Sequence, residues 1–165
     1  MPILLDARPA DIDTEWREEV RDLAPYAALG SIFASAFATV IALGLRRLPE
    51  RFSVGDLALL SIATHTLSRL LARDRVTRPL RAPFTEVEDE RSSRNMKERP
   101  RGRGLKRAVG ELLSCPLCLD QWLAGAFIGG LIFAPRQTRA TASMFAVASG
   151  SDLLQHAQSR LRAGS

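Results

Sequence analysis

The sequence predicts an all-α integral membrane protein with three to four transmembrane helices and a long charged cytoplasmic loop. Residues 23–45 form an uncharged, mostly apolar run of 23 residues. The charged side chains are concentrated in residues 1–22, 46–56 and 72–111, and almost none lie between these segments. The average composition, with 46% hydrophobic and 25% charged residues, would suit a soluble globule. The distribution therefore decides the fold class, because this segregation is typical of membrane proteins.

The first predicted span, residues 23–45, reaches about 34 Å as a helix, which exceeds a hydrocarbon core of about 30 Å. Gly30, Ala34, Ala38 and Ala42 recur every fourth residue. This face indicates either close packing against another helix or the ordinary abundance of alanine in such helices. Residues 1–22 form a polar lead without the basic start and apolar core of a signal peptide, so we expect the span to remain in the mature protein.

Three further helices are predicted at about 52–72, 112–133 and 140–155. The second helix contains Asp56, His65 and Arg69, so it either spans with a polar side turned inward or lies at the interface. The third contains a Gly125–Gly129 pair, a spacing that suits close helix packing. The fourth has a short uncharged stretch and is the weakest candidate span.

The loop of residues 73–111 holds twelve Lys or Arg and seven Asp or Glu. Its middle, residues 85–104, has few apolar side chains, and we expect it to be flexible. If all four segments cross the membrane, one side carries 17 basic residues and the other carries five. The imbalance predicts a multi-pass protein of the cytoplasmic membrane, with both termini and the loop in the cytoplasm.

The segment Cys115-Pro-Leu-Cys118 allows three interpretations. Two thiols at a helix start can form a redox pair, although cytoplasmic thiols remain reduced. Zinc needs four ligands, which His65 and His156 would complete as a Cys2His2 site. The favoured interpretation is that both cysteines are small packing residues near the interface, with Pro116 in the first helical turn.

Ionisable groups inside predicted spans are costly unless they are paired or hydrated. Asp56, Arg69 and Asp120 therefore indicate a polar relay, or more simply an Arg69–Asp120 ion pair or an arginine that reaches the interface. The basic run at residues 99–107 lacks aromatic residues, so we expect contact with anionic lipid headgroups and no nucleic acid. Because no catalytic or nucleotide-binding motif is present, no enzymatic activity and no cofactor are predicted.

Three blocks resemble a bacterial membrane family filed as domain of unknown function 1360, which includes a sporulation-linked protein. They are Asp56-Leu-Ala-Leu-Leu60 through Leu67-Ser-Arg-Leu-Leu71, Arg73-Asp-Arg-Val-Thr-Arg-Pro-Leu-Arg-Ala-Pro-Phe84, and Glu111-Leu-Leu-Ser-Cys-Pro-Leu-Cys118 with Trp122. The resemblance implies a small multi-span protein without an assigned reaction. The family positions fall here on Arg69, Asp74, Thr77, Pro79, Arg81, Pro83, Cys115, Pro116, Cys118 and Trp122.

The resemblance divides the chain into a core at residues 54–155, an appended anchor at 23–45 and a tail at 156–165. We expect the prolines of the second block to prevent a long helix, leaving an extended path with Arg73, Arg75, Arg78 and Arg81 at the headgroups. The predicted function is a scaffold or accessory subunit, linked to sporulation or development. A metal or thiol site and a transporter or channel component are the alternatives. The predicted partners are the bilayer and a membrane protein or second copy bound through the small-residue helix faces.

Overall fold

The computed structural model describes residues 9–89 and 97–163, and most of them are helical. The elements are α1 (Pro9–Gly44), a 3-10 turn (Leu45–Arg47), α2 (Val54–Arg73), α3 (Arg78–Arg81), β1 (Thr85–Asp89), β2 (Lys97–Pro100), α4 (Leu105–Ser114), α5 (Pro116–Phe133) and α6 (Pro135–Ala163). The helical class agrees with the all-α prediction. Residues 1–8 of the polar lead and 164–165 of the tail lie outside the described residues.

Local sequence signals account for where the central helices begin. Ser53 caps α2, because its Oγ accepts a hydrogen bond from the Asp56 N–H at 3.1 Å. The third predicted helix, at 112–133, is divided into α4 and α5 at Cys115, which is extended. Pro116 then occupies the first turn of α5, where its missing N–H costs no hydrogen bond.

The core lies where α2 packs against α5 and α6, around Leu60, Ala63, Phe127, Leu131 and Ala142. Thr64 and Ser68, which lie on the polar side predicted for α2, are buried in this contact. Ser68 satisfies its own hydroxyl by donating to the His65 carbonyl at 3.0 Å. Small hydroxyl side chains therefore serve here as packing residues between helices.

Helix α1 packs on α5 through large side chains instead of its small-residue face. A Cβ added at Gly125 would lie 3.2 Å from Phe33, and one at Gly129 would lie 3.0 Å from Val40. The glycines of α5 thus already permit the close approach. Gly30 has no such neighbour within 4 Å. The predicted packing of the Gly30 to Ala42 face against the core is wrong, and that face is exposed.

Two helices in the described part of the chain are long and apolar enough to cross a membrane, Leu23–Arg47 and Pro116–Phe133. The prediction of three to four spans is therefore supported for two of them. Charged side chains account for the difference, because α2 holds Asp56 and Arg69 and α6 holds Arg139 and Asp152 within their helices.

The loop predicted to be flexible contains an antiparallel hairpin of β1 and β2. Thr85 pairs with Pro100, and Val87 pairs with Glu98. Residues 90–96 of that loop lie outside the described residues. Hairpin and helix α4 approach closely, since a Cβ added at Gly110 would lie 2.5 Å from the Phe84 carbonyl oxygen. The charge-rich segment thus contains ordered strands that pack on α4.

Candidate functional site

Arg81 lies at the centre of a buried polar cluster at the carboxyl end of α2. Its side chain is 2% exposed. Its guanidinium donates to the carbonyl oxygens of Leu71 and Asp74, the latter at 3.2 Å, and to Thr77 Oγ1 at 2.7 Å. Carbonyls in the last turn of a helix lack partners within that helix. Arg81 and Thr77, whose Oγ1 donates to the Leu70 carbonyl oxygen at 2.7 Å, therefore both help to complete this end of α2.

The charge of Arg81 is balanced by Glu98 on β2. Arg81 Nε and Nη2 donate to the two carboxylate oxygens at 3.1 and 2.9 Å, and Thr85 Oγ1 donates to Glu98 Oε2 at 2.7 Å. Burial alone would raise the pKa of Glu98, but the hydrogen bonds from Arg81 and Thr85 and the attraction to Arg81 and Arg78 outweigh it. Its pKa is held below the ordinary value, so Glu98 is ionised near neutral pH.

This cluster corrects the expectation that Arg81 lies at the lipid headgroups. Residues Arg73 and Arg75 are exposed, whereas Arg81 turns inward, because a short helix follows Thr77 in place of the predicted extended path. Glu98 was not singled out from the sequence. It lies in a run of mixed charges that resembles a solvated segment, and no spacing signal links it to an arginine 17 residues earlier.

A cleft of about 790 Å³ separates the second half of α2 from the second half of α6. Its charged and titratable lining consists of His65, Arg69, Asp74, Asp152, His156 and Arg160. His156 Nδ1 lies 2.8 Å from the Asp152 carbonyl oxygen. A carbonyl can only accept, so Nδ1 is the donor of this hydrogen bond. Arg69 and Asp74, two of the predicted site residues, thus lie in one cleft.

The two cysteines lie together at the start of α5, and both are free thiols. Cys115 is the residue before the first helical turn, and its Sγ accepts a hydrogen bond from the Cys118 N–H at 3.4 Å. Cys115 is half-buried and Cys118 is exposed. The pair is therefore close in space as well as in sequence.

A carboxylate of α4 connects this end of α5 to α1. The Tyr26 hydroxyl donates to Glu111 Oε2, and Arg107 Nε donates to Glu111 Oε1 at 3.0 Å. The hydrogen bond from Tyr26 lowers the pKa of Glu111 most, burial opposes it, and Arg107 lowers it further. Glu111 is thus held ionised beside the cysteines.

The proposed Cys2His2 zinc arrangement is not assembled. His65 and His156 line the cleft between α2 and α6, whose lining includes no residue of α5, whereas both cysteines lie at the start of α5. Across residues 9–89 and 97–163, no three His, Cys, Asp or Glu side chains are grouped closely enough to hold a metal ion. The sequence could not reveal this separation, because the spacing between helices is unconstrained.

The ionisable residues of the helices are paired differently from the sequence hypothesis. Asp56 receives two hydrogen bonds from Arg139, at 2.7 Å from Nε and 2.8 Å from Nη2, which joins the amino ends of α2 and α6. The Oδ1 of Asp120 is buried without a hydrogen-bond partner. Arg69 is exposed in the cleft. The suggested Arg69–Asp120 ion pair is therefore not formed.

Trp122, the last predicted site residue, belongs to the contact between α5 and α1. Its ring centroid lies 5.2 Å from that of Phe33 in a tilted arrangement, and Phe33 stacks on Phe37 at 6.0 Å. Tilted aromatic pairs at this distance contribute about 0.5–1.5 kcal/mol beyond their buried area. Trp122 thus helps to hold α1 on the rest of the protein.

Comparison with known proteins gives a family match and one curated relative. A family model described as protein of unknown function (DUF1360) matches residues 59–158. The chain is also similar to the sporulation protein YjcA of Bacillus subtilis (strain 168), with 39% identity over 75 residues. These residues cover 44% of this chain and 64% of that protein, which is less than two thirds of its length. No solved structure matches the chain.

Proposed function

Because this chain belongs to the DUF1360 family, we propose that it is a membrane-integral scaffold or accessory subunit of the bacterial cytoplasmic membrane that serves a developmental process such as sporulation. The observation that carries the membrane assignment is the exposed apolar surface of α1. Of residues 23–47, only Gly44 is buried. Leu23, Ile32 and Leu43 are 55%, 52% and 72% exposed. A water-soluble protein would bury such a helix in its core.

The size of this apolar surface makes water an unfavourable solvent for α1. Burying a large aliphatic side chain is worth about 1.5–3 kcal/mol, so a helix covered with them strongly favours an apolar solvent. The 25 residues of Leu23–Arg47 extend about 37 Å, which is enough to cross a hydrocarbon core of about 30 Å. The second apolar helix, Pro116–Phe133, packs beside it. A bilayer would bury the exposed apolar side chains of both helices.

The arrangement of the helices supports the orientation inferred from charge. The pair of Asp56 and Arg139 brings the amino ends of α2 and α6 to the end of the bundle where Gly44 meets Ile132. The Arg81–Glu98 cluster follows the opposite end of α2. Our proposal places this cluster, the termini and the loop of residues 73–111 in the cytoplasm.

The scaffold role rests on the Arg81–Glu98 cluster, which holds a basic surface in a fixed position. The cluster fixes the hairpin against the helices, and Arg73, Arg75, Arg101 and Arg103 are exposed around it. Each such side chain near an anionic membrane surface is worth about 1 kcal/mol. A fixed basic surface beside spanning helices would hold the protein on anionic lipid and present the same face to a membrane protein partner.

Cysteine-accessibility mapping tests the membrane part of the proposal. In a cysteine-free background, single cysteines replace Leu48, Asn95 and Gln137, and intact cells and inverted vesicles are labelled with a membrane-impermeant maleimide. We expect Asn95→Cys to react only in inverted vesicles, and Leu48→Cys and Gln137→Cys only in intact cells. Release of the protein from membranes by alkaline carbonate, or labelling of all three from one side, would contradict it.

The developmental part is tested by complementation. A Bacillus subtilis strain that lacks the similar sporulation protein receives this chain, the Arg81→Met variant or the Arg75→Met variant, and heat-resistant spores are counted at matched protein levels. We expect this chain and Arg75→Met to restore the count, and Arg81→Met to fail because its hairpin is no longer fixed. A chain that reaches the membrane but restores nothing would argue against a developmental role.

The cleft between α2 and α6 favours a second candidate, a transporter or channel component. Arg69 and Asp152 face it from opposite helices, and polar groups that line a hydrated path in a membrane are typical of permeation. The test compares ion and solute flux into proteoliposomes for the natural chain, Arg69→Gln and, as a control outside the cleft, Arg136→Gln. Loss of flux in Arg69→Gln alone supports transport, whereas identical flux in all three excludes it.

A further inference from the structure

We propose that Cys115 and Cys118 form a thiol–disulfide exchange site that reduces a disulfide of a partner protein at the membrane surface, with Cys115 as the nucleophile and Cys118 as the resolving cysteine. This activity goes beyond the scaffold role, which does not require either thiol.

The roles follow from the hydrogen bonds around Cys115. Its Sγ accepts a hydrogen bond from the backbone N–H of Cys118 at 3.4 Å, and the same N–H donates to the Cys115 carbonyl oxygen at 3.1 Å. This contact and the amino end of the 18-residue helix α5 place partial positive charge beside the Cys115 sulfur. The thiolate is the reactive form of a cysteine in exchange with a disulfide. Cys115 is therefore the better nucleophile of the two.

The position of Cys118 suits the second step. Two residues separate it from Cys115 along the first turn of α5, and the Cys115 sulfur lies 3.4 Å from the Cys118 backbone nitrogen, so the two sulfurs need only a short approach to form a bond. Its exposure also leaves room for a bound partner. Pro116, which lies between the cysteines, needs no N–H donor in this first turn, so it costs α5 no hydrogen bond.

The reaction balances between the pair and one partner disulfide. Cys115 loses its proton, and its sulfur attacks one partner sulfur; the partner S–S bond breaks, and the other partner sulfur leaves and takes up a proton. Cys118 then loses its proton and attacks the Cys115 sulfur of the mixed disulfide, which releases the second partner thiol. The partner gains two electrons and two protons, and Cys115 and Cys118 become a disulfide. A cytoplasmic thiol such as glutathione returns the pair to the reduced state.

The test uses the full chain in lipid nanodiscs and oxidised glutathione as the disulfide. Because the chain has two cysteines, every thiol lost is one of this pair. Intact-mass spectrometry first asks whether the natural chain forms an internal disulfide that reduced glutathione reverses. We expect a single reversible transition with no long-lived glutathione adduct. A chain that keeps both thiols, or that accumulates one adduct on each, would overturn the proposal.

Single-cysteine variants then test the roles. Cys118→Ser leaves Cys115 alone, and we expect it to form a glutathione adduct about tenfold faster than Cys115→Ser, which leaves Cys118. Exposure alone predicts the opposite order, since Cys118 is the more accessible thiol. Equal rates, or faster reaction of Cys115→Ser, would overturn the assignment of the nucleophile.

A matched control isolates the hydrogen bonds to Cys115. Leu117 lies in the same turn of α5 and is 76% exposed. A chain whose only thiol is introduced by Leu117→Cys shares the helix end without those contacts, and we expect it to react about tenfold more slowly than Cys118→Ser. Reaction at the same rate would show that the helix end alone sets the reactivity. Thermal unfolding of each reduced variant separates these rates from any change in folding.

Discussion

The two ends of α2 carry the same kind of ion pair in opposite surroundings. At the carboxyl end, Arg81 and Glu98 are 2% and 5% exposed, and at the amino end Arg139 and Asp56 are 51% and 13% exposed. Both arginines bind both oxygens of their carboxylate. The buried arginine also binds Leu71, Asp74 and Thr77, so its removal affects several groups besides Glu98.

Burial, and not the geometry of the pair, decides how much each arginine contributes to the stability of the fold. A buried charge that loses its partner is left uncompensated, which costs several kcal/mol, whereas an exposed pair exchanges readily with water and is worth little. The Arg81–Glu98 pair therefore determines the path of the chain from α2 to β2. The Arg139–Asp56 pair joins two helix ends that the core already holds together.

The largest effect is expected for Arg81→Met. The variant leaves Glu98 buried without a counter-charge and removes the arginine donors to the Leu71 and Asp74 carbonyls, and we expect a loss of about 3–5 kcal/mol in the free energy of unfolding. Chemical unfolding in detergent micelles, followed by circular dichroism, measures it. The exposed Arg75→Met is the control. A loss no larger than that of the control would show that the buried pair does not stabilise the fold.

A smaller effect is expected for Gly110→Ala. The added Cβ would lie 2.5 Å from the Phe84 carbonyl oxygen, a backbone atom, so hairpin and α4 must move apart. We expect destabilisation of about 1–3 kcal/mol by the same unfolding measurement. Gly30→Ala is the matched control, because its Cβ meets no atom within 4 Å and alanine favours a helix. Equal stability of the two variants would mean that the hairpin does not pack this closely on α4.

The buried pair also predicts a pH dependence of stability. The pKa of Glu98 is lowered on folding, so its contribution is present above the ordinary value of 4.5 and is lost as the pH falls through the lower folded value. We expect the thermal midpoint of the natural chain to fall more between pH 7 and pH 3 than that of the double variant Arg81→Met/Glu98→Leu. Parallel curves for the two proteins would contradict this.

The smallest effect is expected at the exposed end of α2. Asp56→Asn removes the charge that Arg139 binds, but both groups remain in contact with water, and we expect a small drop in thermal midpoint that high salt abolishes. Arg136→Gln, a neighbouring exposed arginine, serves as the control for a general change in net charge. A drop as large as that of Arg81→Met would mean that burial does not distinguish the two pairs.

The sequence predicted the helices better than their contacts. The apolar run at 23–45, the proline that begins α5 and the Gly125–Gly129 spacing each depend on neighbouring residues, and each corresponds to an observed feature. Partners that lie far apart in the chain left no local signal. Asp56 and Arg139 are 83 residues apart. The burial of Ser68 likewise gives no hydropathy signal, because a hydroxyl that bonds its own helix behaves as a small apolar group.

The buried Arg81–Glu98 pair also determines when the end of α2 can be completed during synthesis. Glu98 follows Arg81 by 17 residues. The carboxylate that balances the charge of Arg81 therefore emerges from the ribosome only after the whole of α2, α3 and β1 has been made. At about 5–20 residues per second this interval lasts roughly one to three seconds. During it the carboxyl end of α2 remains open to solvent or to a chaperone. The second helix is thus completed only when the loop beyond it has been translated.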